Sequence, residues 1–371
     1  MAKKILIVIN NLAMGGAERY AIQLANIISK NGDLVTLLTG TPLDLLNDLN
    51  KSCAYKIFNT HPGKRFALIK YLLLLPIKII QLLWIMNNGK FDVIYSFLPV
   101  SGLPAWIAGK TLGVPVYYFP AHGFDVSTKF ELYLHRSKLP NLLISKYVAG
   151  SDYLVRELIS DWGVSSADNI VYFGAGIDTQ LFVPKIKTSN DFTIGCVSRL
   201  HPDKRIDLVI KSFAILKKIY TAGDLRLVIA GDGEELIVLK QLALQLNVIE
   251  YIEFLGQISD SHELLPTFDL YIQTTKNPNI GLSAIEALSC GVPLIIAYSD
   301  SKEKEMAVDT LKNYDAGWLV EAIPENIAKL VFEILCDPGQ IGLKKIQARK
   351  LAIDKYDLSS NLKLFVENTA I

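Results

Sequence analysis

The sequence carries no surplus of charge: 38 Lys and Arg stand against 37 Asp and Glu. A chain so balanced has no whole-molecule attraction to nucleic acid. Cysteine is scarce. Cys53, Cys196, Cys290 and Cys336 lie far apart and form no CxxC pair, which argues against a disulfide framework and a thiolate metal site. Reduced core thiols of a cytoplasmic protein are the natural reading. There is no low-complexity tract and no short repeat. The N-terminal MAKKILIVINN has a run of only five apolar residues, too short for the core of a signal peptide, and it reads as a strand. What the chain has in plenty is apolar surface. Half of its 371 residues are hydrophobic and a fifth are charged, enough for two domains of ordinary size and unfavourable to disorder.

Short apolar runs alternate with helical patterns almost from end to end. KILIVIN (4–10), LVTLLT (34–39), DVIYSF (92–97), PVYYF (115–119), NLLIS (141–145) and IVYF (170–173) are the expected strands of a first block. AERYAIQLANIIS (17–29) repeats its apolar residues at helical spacing. PKIKTSND (184–191) then interrupts the pattern and is the candidate linker. The alternation restarts with FTIGCVS (192–198), LRLVIA (225–230), YIEFLG (251–256), DLYIQTT (269–275), PLIIAYS (293–299) and GWLV (317–320), with helices over 206–219 and 234–246. Nearly continuous apolar strands separated by helices mean parallel sheets covered on both faces. The expected fold class is α/β: two doubly wound, Rossmann-like domains facing across a cleft, 1–185 and 186–355. Open α/β sheets bind ligands outside the carboxyl ends of their strands, so the loops after strands and the cleft are where chemistry is expected.

Residues 66–86, FALIKYLLLLPIKIIQLLWIM, are apolar on nearly every face. Lys70, Pro76 and Lys78 argue against a membrane-spanning helix. Two readings remain, and they are compatible. One is a covering helix of an α/β domain, kinked or broken at Pro76. The other is a helix lying in a membrane interface, with Lys64, Arg65, Lys70 and Lys78 drawn to anionic lipid.

Four post-strand loops carry candidate chemistry. Gly15-Gly16 precedes a helix, where two glycines let a backbone approach a bulky group and the helix N-terminus favours an anion; a plain tight turn would use them too. His122, in PAHGFDV, can donate, accept and titrate near neutral pH, or be structural. Arg199 and Lys204, in SRLHPDKRIDLVI, make a diphosphate clamp with a helix dipole behind them; a surface pair is the alternative, and Lys204-Arg205 reads as ordinary surface. In PNIGLSAIEALSCGVPLI, Asn279, Gly281 and Ser283 give a polar loop, and Glu286 follows about one turn into a helix. Glu286 is either solvent-facing or a carboxylate for a vicinal diol such as a ribose. GDGEEL (231–236) and GAGID (174–178) imitate a dinucleotide fingerprint without completing it, and the acids of the first would repel a pyrophosphate.

NLAMGGAERYAIQLANIISKNG, AHGFD, VSRLHPDKRIDLVIKSFAIL and GLSAIEALSCGVPLI together resemble the motifs of the retaining glycosyltransferases of GT-B fold, family 4, over most of the chain. The resemblance implies an enzyme that moves a sugar from a UDP- or GDP-sugar to a saccharide or lipid-linked saccharide, in cell-surface polysaccharide or glycolipid synthesis. It implies a cytoplasmic protein, or one held at the inner face of the cell membrane through 66–86. Arg199 and Lys204 would neutralise the leaving diphosphate. Glu286 would bind the ribose hydroxyls and His122 the transferred sugar. Gly15 and Gly16 would admit the diphosphate or acceptor, and the backbone at Gly281 and Leu282 would support phosphate or sugar. The segment 356–371 would be a helix crossing back onto the first domain. One departure stands out: the family's first motif glutamate falls on Pro278, so Asn277 or Asn279 would have to grip the donor instead. No cofactor beyond the nucleotide-sugar donor is expected, and no metal, because no DxD motif follows a suitable strand. A catalytically silent nucleotide-sugar binder, a sugar-nucleotide epimerase and a Rossmann dehydrogenase are the alternatives; the incomplete GxGxxG counts against the last.

Overall fold

The computed structural model describes residues 2–13, 16–58, 67–120, 137–174, 176–187, 191–276 and 280–369. The chain divides into two compact units, Met1–Ala175 with Ser359–Ile371, and Gly176–Leu358.

The first unit is built on seven parallel strands: β1 (Lys4–Val8), β2 (Leu34–Thr39), β3 (Ala54–Ile57), β4 (Val93–Phe97), β5 (Val116–Phe119), β6 (Lys146–Ala149) and β7 (Ile170–Tyr172), in the order β3-β2-β1-β4-β5-β6-β7. All five residues of β4 are buried, as two-faced covering requires. The second unit has six parallel strands: β8 (Phe192–Val197), β9 (Leu225–Ala230), β10 (Ile252–Gly256), β11 (Leu270–Gln273), β12 (Leu294–Tyr298) and β13 (Gly317–Glu321), in the order β10-β9-β8-β11-β12-β13. Its core packs Ile194, Cys196, Leu227, Ile229, Ile272 and Ile295 against the Ile206–Ile219 and Pro324–Cys336 helices.

Four expectations need correction. NLLIS (141–145) is not a strand: Leu139–Leu143 is a short helix with Pro140 in its first turn, a position that proline's fixed φ favours, and the strand is the following KYVA. The edge strand β3 had no signal, because AYKI is exposed at every position. Pro76 neither breaks nor ends its helix, which runs from Ala67 to Gly89; Pro76 lies on the exposed side, where water can take up the carbonyl its missing N–H leaves over. The unit boundaries fall at 175/176 and 358/359 rather than at 185/186 and 355/356. Residues expected as linker belong to the second unit: Lys187 Nζ lies 2.5 Å from Asp269 Oδ2 and 3.0 Å from Thr193 Oγ1.

The Leu358–Thr369 helix supplies Phe365 to the first unit. The ring is fully buried, 4.7 Å from Phe173, 5.7 Å from Tyr95 and 6.0 Å from Phe119. Aromatic edges and faces at these separations contribute beyond the area they bury.

Candidate nucleotide site

In the second unit the strand order reverses between β8 and β11. Successive strands run outward from β8 through β9 to β10 on one side, and from β11 through β12 to β13 on the other. Such a switch point opens a crevice at the carboxyl ends of the two central strands. The loop that leaves β8 carries Arg199 and Lys204, and the segment that follows β11 carries Gly281 and, on the Leu282–Ser289 helix, Leu282 and Glu286.

Arg199 is exposed at the end of β8 and is followed by Leu200, which is completely buried. Leu200 donates its N–H to Asp232 O at 2.9 Å, so Arg199 is presented from an anchored turn. The short turn Pro202–Lys204 follows, capped by His201, whose Nδ1 accepts from the Asp203 N–H at 3.4 Å and lies 2.5 Å from Asp203 Oδ1. Lys204 Nζ is half-buried, 3.4 Å from Asp203 Oδ2. Burial pushes the Asp203 carboxyl up, but Lys204 and His201 outweigh it and hold it below the usual carboxylate range. Its contribution to stability is therefore present above the unfolded pKa and is lost as pH falls through the lowered one.

Arg205 overturns its reading as surface. Its side chain is nine-tenths buried, and its guanidinium donates to Thr274 O, to Ser299 Oγ and, at 3.1 Å, to Glu303 Oε2. Its φ is +51°, a left-handed conformation a side chain adopts only when its surroundings enforce it. Thr274 answers from the β11 side: its hydroxyl donates to Lys204 O at 2.7 Å. The Lys276 N–H donates to Asp203 O at 2.9 Å. Arg205 thus fastens the loop bearing Lys204 to the loop after β11.

A second fastening joins the end of β8 to the Leu282–Ser289 helix. Ser283 Oγ donates to Val197 O at 2.7 Å, and the buried Tyr271 hydroxyl donates to the same carbonyl at 2.9 Å. Gly281 caps this helix without a side chain. The N–H groups of Leu282 and Ser283, in its first turn, have no intrahelical carbonyl to bond, which is the arrangement that receives an anion. Glu286 is only 8 % exposed, so the solvent-facing reading fails. Ser261 Oγ lies 3.4 Å from its Oε2, and its charge adds to burial in pushing the Cys290 thiol up to about 12.

GDGEEL is more than a plain turn. Gly231 (φ +133°) and Gly233 (φ +159°) press against the Arg199 loop: a Cβ on Gly231 would sit 1.8 Å from Ser198 O, and one on Gly233 2.2 Å from Leu200 O. The Gly231→Ala variant is expected to lose about 3 kcal/mol of stability, since backbone must move against backbone; urea unfolding measures it, and an unchanged midpoint would contradict this packing.

Arg199 and Lys204 thus stand on the loop after β8, and Gly281, Leu282 and Glu286 at the cap and in the body of the Leu282–Ser289 helix, with the two segments fastened to each other. Gly16 opens the Gly16–Lys30 helix of the first unit. Gly15, His122, Asn277, Pro278 and Asn279 lie outside the described residues. Sequence reasoning read Ser283 as part of a polar loop but not as a fastener, and it missed the structural roles of Arg205, Thr274, Glu303 and the two glycines of 231–233. Only Gly231 and Gly233, as paired glycines after a strand, left a local signal.

Residues 178–350 match the family model for glycosyl transferases group 1, and residues 14–181 that for glycosyltransferase family 4. The putative glycosyltransferase EpsF of Bacillus subtilis (strain 168) is 22% identical over 347 residues, 88% of this chain and 87% of that protein. The UDP-Gal:alpha-D-GlcNAc-diphosphoundecaprenol alpha-1,3-galactosyltransferase of Escherichia coli is 24% identical over 265 residues, 66% of each. Among solved structures, Anabaena Alr3699/HepE in complex with UDP superposes with a TM-score of 0.80 at 19% identity, over 100% of both chains. A glycosyltransferase from Rickettsia africae ESF-5 gives 0.79 at 20% identity, over 99% of both. The two parallel sheets are those of the GT-B fold.

Proposed function

The chain belongs to the group 1 glycosyltransferases, with a family 4 N-terminal half, and from that premise we propose that it moves a hexosyl group from a UDP- or GDP-sugar to a saccharide or lipid-linked saccharide, with retention of anomeric configuration. The observation that carries the reading is the double fastening of the β8 and β11 loops, through Thr274 with Arg205 and through Ser283 with Val197. It ties the segment that bears both cations to the first turn of a helix that holds a buried acid one turn in.

Each group has a task. Arg199 and Lys204 neutralise the charge that grows on the leaving diphosphate, and the first-turn N–H groups at Leu282 and Ser283 add the helix dipole. Lys204 gives up part of its contact with Asp203 to do so. Glu286 accepts hydrogen bonds from the two ribose hydroxyls. The bond from the anomeric carbon to the diphosphate oxygen breaks and one to the acceptor oxygen forms on the same face; the acceptor's proton passes to the diphosphate oxygen. No covalent sugar–enzyme intermediate is required, so no carboxylate pair is. Gly15, Gly16 and His122 serve the acceptor and the transferred sugar, and Asn279 the donor sugar. The setting is cell-surface polysaccharide or glycolipid synthesis on the cytoplasmic side. A relative acting on a polyprenyl-diphosphate-linked sugar and another named as a synthase of alpha-monoglucosyldiacylglycerol support a lipid-linked acceptor.

The test is release of UDP or GDP from UDP-glucose, UDP-galactose and GDP-mannose, with and without polyprenyl-diphosphate-linked saccharides, with the anomer assigned by NMR. Acceptor-dependent release with retention is expected. Intact nucleotide binding without such release would leave a binding protein in place of a transferase.

A further inference from the structure

We propose that the Ala67–Gly89 helix is a bilayer-docking face, lying flat in the headgroup region of an anionic membrane. By length and composition alone Tyr71–Gly89 could cross a bilayer, and of its residues only Tyr71, Leu82 and Met86 are buried. The fold forbids crossing. The helix is the connection between β3 and β4 of one sheet, so both its ends belong to the same body. One side is committed to that body: Tyr71, Leu82 and Met86 are core residues, and the Tyr71 hydroxyl donates to Val100 O at 2.9 Å.

The opposite side has the wrong chemistry for water. Leu73, Ile77, Ile80 and Trp84 recur every three or four residues and so share one stripe. Leu73 is 72%, Ile80 65% and Trp84 67% exposed. A surface helix normally turns polar residues outward, and a stripe of large apolar residues facing out marks an interaction site.

Charge identifies the occupant. From Asp48 to Asp92 the chain has seven basic residues, Lys51, Lys56, Lys64, Arg65, Lys70, Lys78 and Lys90, and no acid between those two aspartates. The remainder of the chain then has 31 Lys and Arg against 37 Asp and Glu, a net of −6. A neutral protein thus carries a run of positive charge, without an acid, through the stretch of sequence that holds this helix. Lys51, Lys56 and Lys90 are exposed, and Lys78 stands at the edge of the stripe, 4.8 Å over the Phe58 ring. Apolar residues flanked by lysines suit acyl chains under anionic headgroups. The other apolar helix, Leu236–Gln245, follows Glu234 and Glu235 and lacks this pairing. The docking face does not depend on the sugar-transfer reading; it requires only the first unit.

The experiment is co-sedimentation of the full chain with vesicles of phosphatidylcholine alone and with phosphatidylglycerol added, beside a Leu73→Ser, Ile80→Ser, Trp84→Ser variant whose folding is checked by circular dichroism. Partition should favour the anionic vesicles, weaken with salt and fall at least about tenfold in the variant. Brominated lipid should quench wild-type tryptophan fluorescence and leave a Trp84→Phe protein unaffected. A wild-type protein that ignores anionic vesicles, or a variant that binds as well as wild type, overturns the proposal. A dimer in sedimentation equilibrium that the variant abolishes, without lipid binding, assigns the face to a second copy of the chain and overturns it equally.

Discussion

Replacing Glu303 by alanine is expected to lower the stability of the second unit by about 3 to 5 kcal/mol, the cost of stripping one partner from a buried ion pair. Arg205 and Glu303 expose about a tenth of their side chains each, so neither charge can be rehydrated in place. The Glu303 carboxylate also accepts from the Ser299 N–H at 2.6 Å, and the loss leaves that donor short of a partner. Arg205→Met should cost a similar amount, because Thr274 O and Ser299 Oγ lose the guanidinium. The double variant Arg205→Met, Glu303→Leu should recover much of the loss, since it leaves no buried charge unpaired. Urea-dependent hydrogen exchange of the β8 to β13 amides measures all three. Equal, additive losses would mean that the two groups do not act as a pair.

The second large effect is on ligand. Arg199→Ala and Lys204→Ala are each expected to weaken nucleoside diphosphate binding by about 10- to 100-fold, the worth of charge-assisted hydrogen bonds to phosphate. Nucleoside monophosphate should lose less. Lys204 is already drawn toward Asp203 at 3.4 Å, so its replacement also releases that carboxylate; the Lys204 variant should resist acid less well, because its Asp203 titrates closer to the ordinary range. The Arg199 residue is exposed, and the bonds that anchor its turn run through the backbone, so Arg199→Ala should leave stability unchanged. Calorimetry with UDP and GDP, beside urea unfolding, separates the two roles. A loss of stability with Arg199→Ala would make it a structural residue.

What could be read from sequence follows the physics of burial. Apolar runs such as FTIGCV and LRLVIA signalled central strands because both faces are covered, and the loops after them followed. AYKI gave no signal because an edge strand exposed at all four positions needs no apolar pattern. The Leu358–Thr369 helix could be placed as a terminal element, but its partners, Tyr95 and Phe119 about Phe365, are tertiary. Arg199, Lys204 and Glu286 drew attention because they stand in the segments that follow core strands, where open α/β sheets bind ligands. Arg205 did not. Beside Lys204 it has the look of a solvated pair, and only contact with Thr274, Ser299 and Glu303, 69 to 98 residues away, reveals it as a buried fastener. GDGEEL misled in a similar way: judged against a phosphate loop it fails, while its glycines serve a backbone approach that no local pattern announces.

On the proposed function, a nucleoside diphosphate rests with its phosphates on Arg199 and Lys204 and its ribose on Glu286. Titrating UDP and GDP, with the 2′,3′-dideoxy form of whichever binds, into wild type and Glu286→Gln tests it most directly. One nucleotide should bind wild type, and removing its hydroxyls should weaken it about tenfold or more while changing little in the variant. If neither binds the folded protein, or if the hydroxyls matter equally to both proteins, Glu286 is not the ribose partner and the site is wrongly built.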